Sequence, residues 1–495
     1  NGKFRDATDE AALANLPASL GCCVADFDND GWPDLLLTGT AGIRLLRNAA
    51  DDKGVRFQDV TQAAGLDRLA GVCLGAAFVD IDQDSDVDLL VAVLGSDLPS
   101  ALAALQDPAA GAQAGGIAVF LNVGEAPPVA NADKIVPLTA RFQRADDLLP
   151  AAKLPALNLA ISDLDSDRDC DVLVFGVGAA PAAILNDRLL KFHRAALPEK
   201  LLPKGAWNGA AILDVNRDEK SDVFAVGPGR KPALLVQGKA GSDTWFSAGV
   251  TNAPPMLQAQ AVDLDLDGWT DIVGLSEERL PVLLHNQAGK LVWIKEGLGV
   301  STAWPKDIAA VVAADFDDRC QVDFLLWSEA EGLRLYRNQG NGNRGVSIVL
   351  SGRREKSPPM RCNSDGIGAR VSVQARDHWS SAEWATLQSS LGQWRQPLLL
   401  GLGKADHADF LSIRWPDGVW QAEMNIAGCQ RTIVKETNRK GESCPLLFTW
   451  NGRQFEFITD FLGAGSIGEP LPGGGHRPPP RRRATPSSIR SASCV

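Results

Sequence analysis

"DFDNDGWPD" at residues 26–34 has Asp at its first, third, fifth and ninth positions and Gly at its sixth. Carboxylates this dense repel one another unless a cation sits among them. On alternate residues of a tight turn they converge on one point. A hard divalent ion collects about six to eight oxygens, which suits calcium. The backbone carbonyl at position 7 adds one more oxygen, and Gly relieves the sharp turn.

The stretch recurs. "DIDQDSDVD" begins at Asp80, "DLDSDRDCD" at Asp163, "DVNRDEKSD" at Asp214, "DLDLDGWTD" at Asp263 and "DFDDRCQVD" at Asp315, at intervals of 54, 83, 51, 49 and 52 residues. A period near 50 with one expanded unit marks a repeat architecture. The expected ligands are Asp26, Asp28, Asp30 and Asp34; Asp80, Asp82, Asp84 and Asp88; and Asp163, Asp165, Asp167 and Asp171. The next two loops add Asp214, Asn216, Asp218 and Asp222, then Asp263, Asp265, Asp267 and Asp271. An EF-hand is excluded, because it needs flanking helices and a Glu at position 12, where this chain has Leu37, Val91 and Val174. Zinc and copper fit poorly, since no His or Cys holds a ligand position. The sixth loop carries Arg319 at position 5, so a guanidinium is expected among Asp315, Asp317 and Asp323 instead of an ion. Five calcium ions are therefore expected, offsetting about ten of the twelve excess negative charges.

Each loop lies among short apolar runs. "LLLTG" and "VLVFG" follow it, a third run often ends in Asn ("IRLLRN", "IAVFLN", "LRLYRN"), and a fourth starts near an aromatic residue ("VRFQDV"). Runs of four to six residues rich in Val, Leu and Ile read as four strands per unit. Tandem four-stranded units predict an all-β chain built on a β-propeller of six to seven blades. "GKFRDATDEA" near the N-terminus resembles a fourth run. It either closes a ring of six or ends a blade lost upstream in a ring of seven; the start at Asn1 rather than Met favours a processed or partial chain and the second reading. The expanded unit carries insertions at 96–116 and 125–140. They are expected to be surface loops that form a partner-binding surface with the following β-domain.

These repeats resemble the FG-GAP (VCBS-type) repeats of integrin α-chain propellers and many secreted bacterial proteins, over residues 1–344. After Asn338 the period stops, and 345–437 alternates apolar and polar residues between Gly turns, as an antiparallel β-domain does. "DGIGARV", "GLG" before an acidic residue and "WPDG" before a Gln resemble the ASPIC/UnbV domain. In the cartilage acidic protein family and bacterial relatives that domain directly follows FG-GAP repeats. The resemblance implies this architecture and transfers no catalytic residue. Trp379, Trp384, Trp394, Trp415, Trp420 and Trp450 either stack on sugars or pack a β core, with packing favoured. Residues 438–470 read as a partial β segment. The Arg-, Pro- and Ser-rich stretch 471–495 reads as disordered.

The net charge of −12 argues against nucleic acid as a partner. No apolar run is long enough to span a membrane as a helix. The nine Cys are scattered without CxxC spacing, and Cys429 and Cys444 are open to pairing. The five His form no HExxH, and the single Tyr is Tyr336. "GAGSIG" at 463–468 fits GxGxxG, but "EPLPGGG" follows it instead of a helix. The expectation is a calcium-binding, non-enzymatic protein, secreted, periplasmic or on the cell surface, that mediates interaction with an extracellular protein or glycan. The alternatives are a calcium-dependent carbohydrate-active lyase or hydrolase, or a structural module of a larger protein.

Overall fold

A computed structural model describes residues 5–437 apart from 50–53, 108–114, 125–128, 132–133, 137–139, 151–154, 239–244, 296–303, 354–361, 377, 385–387 and 390. Beyond them it describes strands 446–450, 455–460, 469–470 and 476–477. Cys444, "GAGSIG" and residues 478–495 lie outside the described residues.

Six antiparallel sheets follow one another along the chain. Blade 1 takes strands 19–25, 34–39, 42–48 and 57–59; blade 2 takes 72–79, 88–95, 116–122 and 142–144. Blades 3 and 4 begin at Ala156 and Gly209 and also hold four strands each. Blade 5 begins at Met256 and carries an extra short parallel strand at 250–251. Blade 6 (308–314, 323–328, 332–336) has three described strands.

The apolar residues pack between blades. Leu159, Ile161 and Val174 of blade 3 share a core with Val79, Leu90 and Val119 of blade 2. The pattern repeats between blades 3 and 4, 4 and 5, and 5 and 6. A strand sandwiched between two sheets buries both faces, so strand 171–176 reads as a continuous apolar run with every residue buried. Gly75 in the first strand of blade 2 has a steric cause: a Cβ there would lie 2.2 Å from Asn158 Oδ1 of blade 3.

The Asn that ends the third strand links consecutive blades. Asn122 Nδ2 donates to the Phe27 carbonyl of blade 1 at 3.2 Å, Asn186 to Ile81 at 3.1 Å, Asn286 to Val215 at 2.9 Å and Asn338 to Leu264 at 3.2 Å. In blade 4 Gln237 makes the same bond to Leu164. Each acceptor is the second residue of the preceding blade's acidic loop, which explains why an amide side chain ends the run.

Two expectations are corrected. The described part of that N-terminal run, residues 5–11, forms turns instead of a strand, and Ala11 O accepts Phe57 N–H of blade 1 at 3.0 Å; residues 1–4 lie outside the described residues. The insertion at 96–116 contains a helix, Leu98–Gln106, capped by Asp97 and Ser100 in a reciprocal box and anchored through Ala101 and Ala104. The Ala- and Pro-rich composition suggested a loop, although Leu98, Ala101, Leu102 and Leu105 recur at helical spacing. Within 125–140, strands 129–131 and 134–136 pair.

The region after Tyr336 forms two sheets, 398–403/344–351/431–435 and 378–383/370–375/407–414/420–427. It folds as one compact unit with the six sheets, residues 1–436; residues 437–495 form a second unit, with a hairpin of strands 446–450 and 455–460. Trp384 and Trp415 are buried in the core of these sheets, and Trp420 is 60% exposed. A segment of this region runs into the axis of the blades. Gly392 and Gln393 pair in parallel with Cys22 and Cys23 of blade 1, and Gln393 exchanges hydrogen bonds with Phe78 of blade 2. Ser389 bonds Ala259 of blade 5, and its carbonyl accepts from Asn158 of blade 3.

Candidate metal centres in the acidic loops

All six loops share one geometry. The residue before each loop pairs with its ninth position, as in Val79↔Asp88 and Ser162↔Asp171, so each loop joins the first two strands of its blade. Positions 4 and 6 have positive φ in every loop: Asn29 and Gly31, Gln83 and Ser85, Ser166 and Arg168, Arg217 and Glu219, Leu266 and Gly268, Asp318 and Cys320. The Gly signal at position 6 was legible in two loops. Position 4 had no sequence signal, since even Leu266 adopts φ 58°.

The acidic residues divide the work. The ninth-position carboxylate holds the loop shut: Asp88 accepts from Ile81 N at 2.9 Å and Asn122 N at 2.7 Å, and Asp171 from Leu164 N at 2.7 Å and Asn186 N at 2.9 Å. The first-position Oδ2 accepts the amide of position 6, 3.1 Å from Ser85 N in the second loop and 2.8 Å from Gly268 N in the fifth. The other oxygens of Asp80 and Asp163 are buried and accept no hydrogen bond. Unpartnered buried carboxylate oxygens are costly unless a cation meets them.

Oxygens of Asp80, Asp82 and Asp88 lie within 4.8 Å of one another, as do those of Asp163, Asp165 and Asp171, of Asp263, Asp265 and Asp267, and of Asp26, Asp28 and Asp34. Burial, then neighbouring carboxylates, drives their protonation upward. Asp88 is pushed up to about 8, and Asp82 and Asp165 to about 6. Asp34 rises to about 9 and Asp222 to about 7, and Asp80, Asp171 and Asp263 rise well above the usual range. The metal-free loops therefore resist full ionisation. In the second and third loops an all-oxygen set that rejects its own charge fits a hard dication; in the fifth loop, contrary to expectation, His285 also stands within 4.8 Å of Asp265 and Asp271 oxygens. In the second loop the holders would be Asp80, Asp82, Asp84 and Asp88, and the equivalent residues would serve in the third to fifth loops.

Built-in cations differ between loops. Among the described residues no Lys, Arg or His pairs with Asp80, Asp82, Asp84 or Asp88. In the first loop Arg47 Nε lies 2.6 Å from Asp28 Oδ2, obliquely enough to count as an ion pair without an aligned hydrogen bond, and Nη2 lies 3.0 Å from Asp30. In the sixth loop Arg319 Nε bonds Asp317 at 2.7 Å and Nη2 reaches Asp323 at 3.2 Å, while its backbone amide bonds Asp315. Arg337 also pairs with Asp317. In the fifth loop His285 Nδ1 lies 3.0 Å from Asp271.

The C-terminal sheets rest on this same face. Asp365 of "DGIGARV" accepts Asp26 N–H at 2.7 Å and pairs with Arg395. Arg414 meets Asp163 at 2.6 Å, Ser381 bonds Asp214 at 2.7 Å, and Gly401 N donates to Asp263 at 3.1 Å. Arg370 of the same motif lies against Asp214 and Glu383. The helix Leu98–Gln106 follows the far end of strand 88–95, away from the loops. The insertion at 96–116 therefore lies at the end of blade 2 opposite the C-terminal sheets, whereas the insertion at 125–140 follows strand 116–122 at the loop end, where Asn122 N bonds Asp88. Cys429 lies beside the Cys320 thiol of the sixth loop.

The sequence model of FG-GAP-like repeats matches residues 1–91, and that of ASPIC and UnbV matches residues 359–441. Residues 1–91 thus carry an FG-GAP-like repeat and residues 359–441 an ASPIC and UnbV domain. No curated protein matches it. Among solved structures it resembles an Agrocybe aegerita lectin that recognises non-reducing terminal N-acetylglucosamine, at 16% identity and TM-score 0.44, over 67% of this chain and 80% of that one. It also resembles AofleA from Arthrobotrys oligospora (13% identity, TM-score 0.36, 65% and 84% covered). A third is a Bacillus licheniformis rhamnogalacturonan lyase (14% identity, TM-score 0.33, 84% and 72% covered).

Proposed function

We propose that this FG-GAP and ASPIC/UnbV chain is a calcium-stabilised, non-enzymatic interaction module that works outside the cytoplasm and binds an extracellular protein or glycan. The buried, unpartnered carboxylate oxygens of Asp80 and Asp163 carry the calcium reading. Calcium here supplies positive charge to the interior and no chemistry on a substrate. The C-terminal sheets contact the first, third, fourth and fifth loops, and we assign recognition to the opposite end of the blades. An open cavity of about 770 Å³ lies there on the axis, lined by Leu20, Leu74, Leu157, Leu257 and Ala310 of successive blades and by Trp394. The helix beside it exposes Leu98, Leu102 and Leu105.

Melting curves in calcium, magnesium and EDTA, with binding to glycan and protein arrays in calcium, test the proposal. Calcium should raise the melting temperature and magnesium should not, because magnesium demands a tighter octahedral shell. Turnover of acidic polysaccharides by the pure protein would overturn the non-enzymatic reading.

A further inference from the structure

We infer that Arg47 is the resident cation of the first acidic loop, so that this loop takes no metal and the chain holds four ions instead of five. The inference rests on the calcium reading of the other loops and concerns this chain's departure from it. Arg47 is the residue just before Asn48, which ends the third strand of blade 1. Its side chain is only 10% exposed and Asp28 is fully buried, so the guanidinium occupies the interior of the loop and is not a surface partner. It reaches the third and fifth positions, Asp28 and Asp30, two of the carboxylates a metal would need. The remaining two make the loop-closing bonds common to the other loops, so the difference lies in Arg47. Asp34 accepts the amides of Phe27 at 3.2 Å and Asn48 at 2.7 Å, and Asp26 accepts Gly31 N at 3.0 Å.

The sixth loop supplies an independent instance. Arg337 precedes Asn338 at the same register, and it too contacts the third-position carboxylate, Asp317. That loop has also lost its fifth carboxylate to Arg319. The equivalent residues of blades 2, 3 and 4 are Leu121, Leu185 and Val236, which offer no charge. In blade 5 the residue is His285, which reaches the ninth-position Asp271 and leaves the trio Asp263, Asp265 and Asp267 together. At this register an Arg separates the first and sixth loops from the others; in the third and fourth, cations come from elsewhere and reach single carboxylates: Arg414 at Asp163, Lys220 at Asp218 and Arg370 at Asp214. Arg closes the site from within, and an aliphatic residue leaves it to a metal. A guanidinium suits this role because it stays charged when buried and spans two carboxylates at once.

Counting bound calcium by native mass spectrometry on the whole chain tests this. The natural chain should hold four ions. Arg47→Met should hold five, and Asp28→Asn added to it should return the count to four. Leu121→Arg should lower the count by one. Asp28→Asn in the natural chain should release no ion, which keeps the test decisive if Arg47→Met fails to fold. Five ions in the natural chain, one of them lost on Asp28→Asn, would overturn the inference while sparing the calcium reading. No ion in any variant would overturn both.

Discussion

The loops that open at Asp26 and Asp80 have the same length, the same two left-handed positions and the same four carboxylates. They differ in what neutralises them. The first has Arg47 inside it; the second has Leu121 at that register, and among the described residues no basic side chain pairs with its four carboxylates. Identical ligand spacing therefore does not imply identical occupancy. The deciding residue lies about twenty positions further along the chain, on a different strand.

Removing calcium should give the largest effect. A ligand at 100 times its dissociation constant stabilises the folded state by about 2.7 kcal/mol per site. With several open loops, EDTA should lower the melting temperature by many degrees; an unmoved melting curve would erase the difference between the two loops. Next in size is Arg47→Met measured in EDTA. Breaking a buried ion pair from one side costs about 3–5 kcal/mol. Leu121→Met, a volume-conserving change at the same register, should cost less than about 1.5 kcal/mol. Equal losses in denaturant titrations would show that Arg47 is not a buried counter-ion.

Acidity sharpens the comparison further. Carboxylates whose folded values are raised bind protons more tightly in the native state, so their contribution to stability is complete below about pH 4 and is lost as pH rises. Asp222, Asp88 and Asp34, at about 7, 8 and 9, set the window. In EDTA, stability should fall between pH 5 and 9 by this contribution. In calcium the fall should shrink, because the ion favours the ionised carboxylates. A metal-free chain whose melting temperature rises across that range would contradict the assignment. A local effect is expected of Asn286→Ala, which removes side-chain bonds to Val215 O at 2.9 Å and Thr270 O at 3.0 Å. At about 1 kcal/mol per net hydrogen bond, it should cost about 1–2 kcal/mol and uncouple blades 4 and 5 in hydrogen exchange.

Much of this was legible in the sequence, because it is periodic. The acidic spacing, the four runs per unit and the Asn at the end of the third run each recur about every fifty residues, and the blades and loops follow them. The role of Asn122 and its equivalents was not legible, since its acceptor belongs to the preceding blade. The axial segment Gln388–Trp394 was hidden for the same reason: its partners at Cys22, Phe78 and Asn158 are hundreds of residues away. Arg47 was visible in "IRLLRN", but only the fold brings it to Asp28.

The most direct test is a crystal structure of the whole chain grown in calcium, with anomalous difference density used to locate ions. The account predicts one ion in each of the loops at Asp80, Asp163, Asp214 and Asp263, none at Asp315, and Arg47 still between Asp28 and Asp30. An ion in the first loop with Arg47 swung outward, or empty loops throughout, would contradict it.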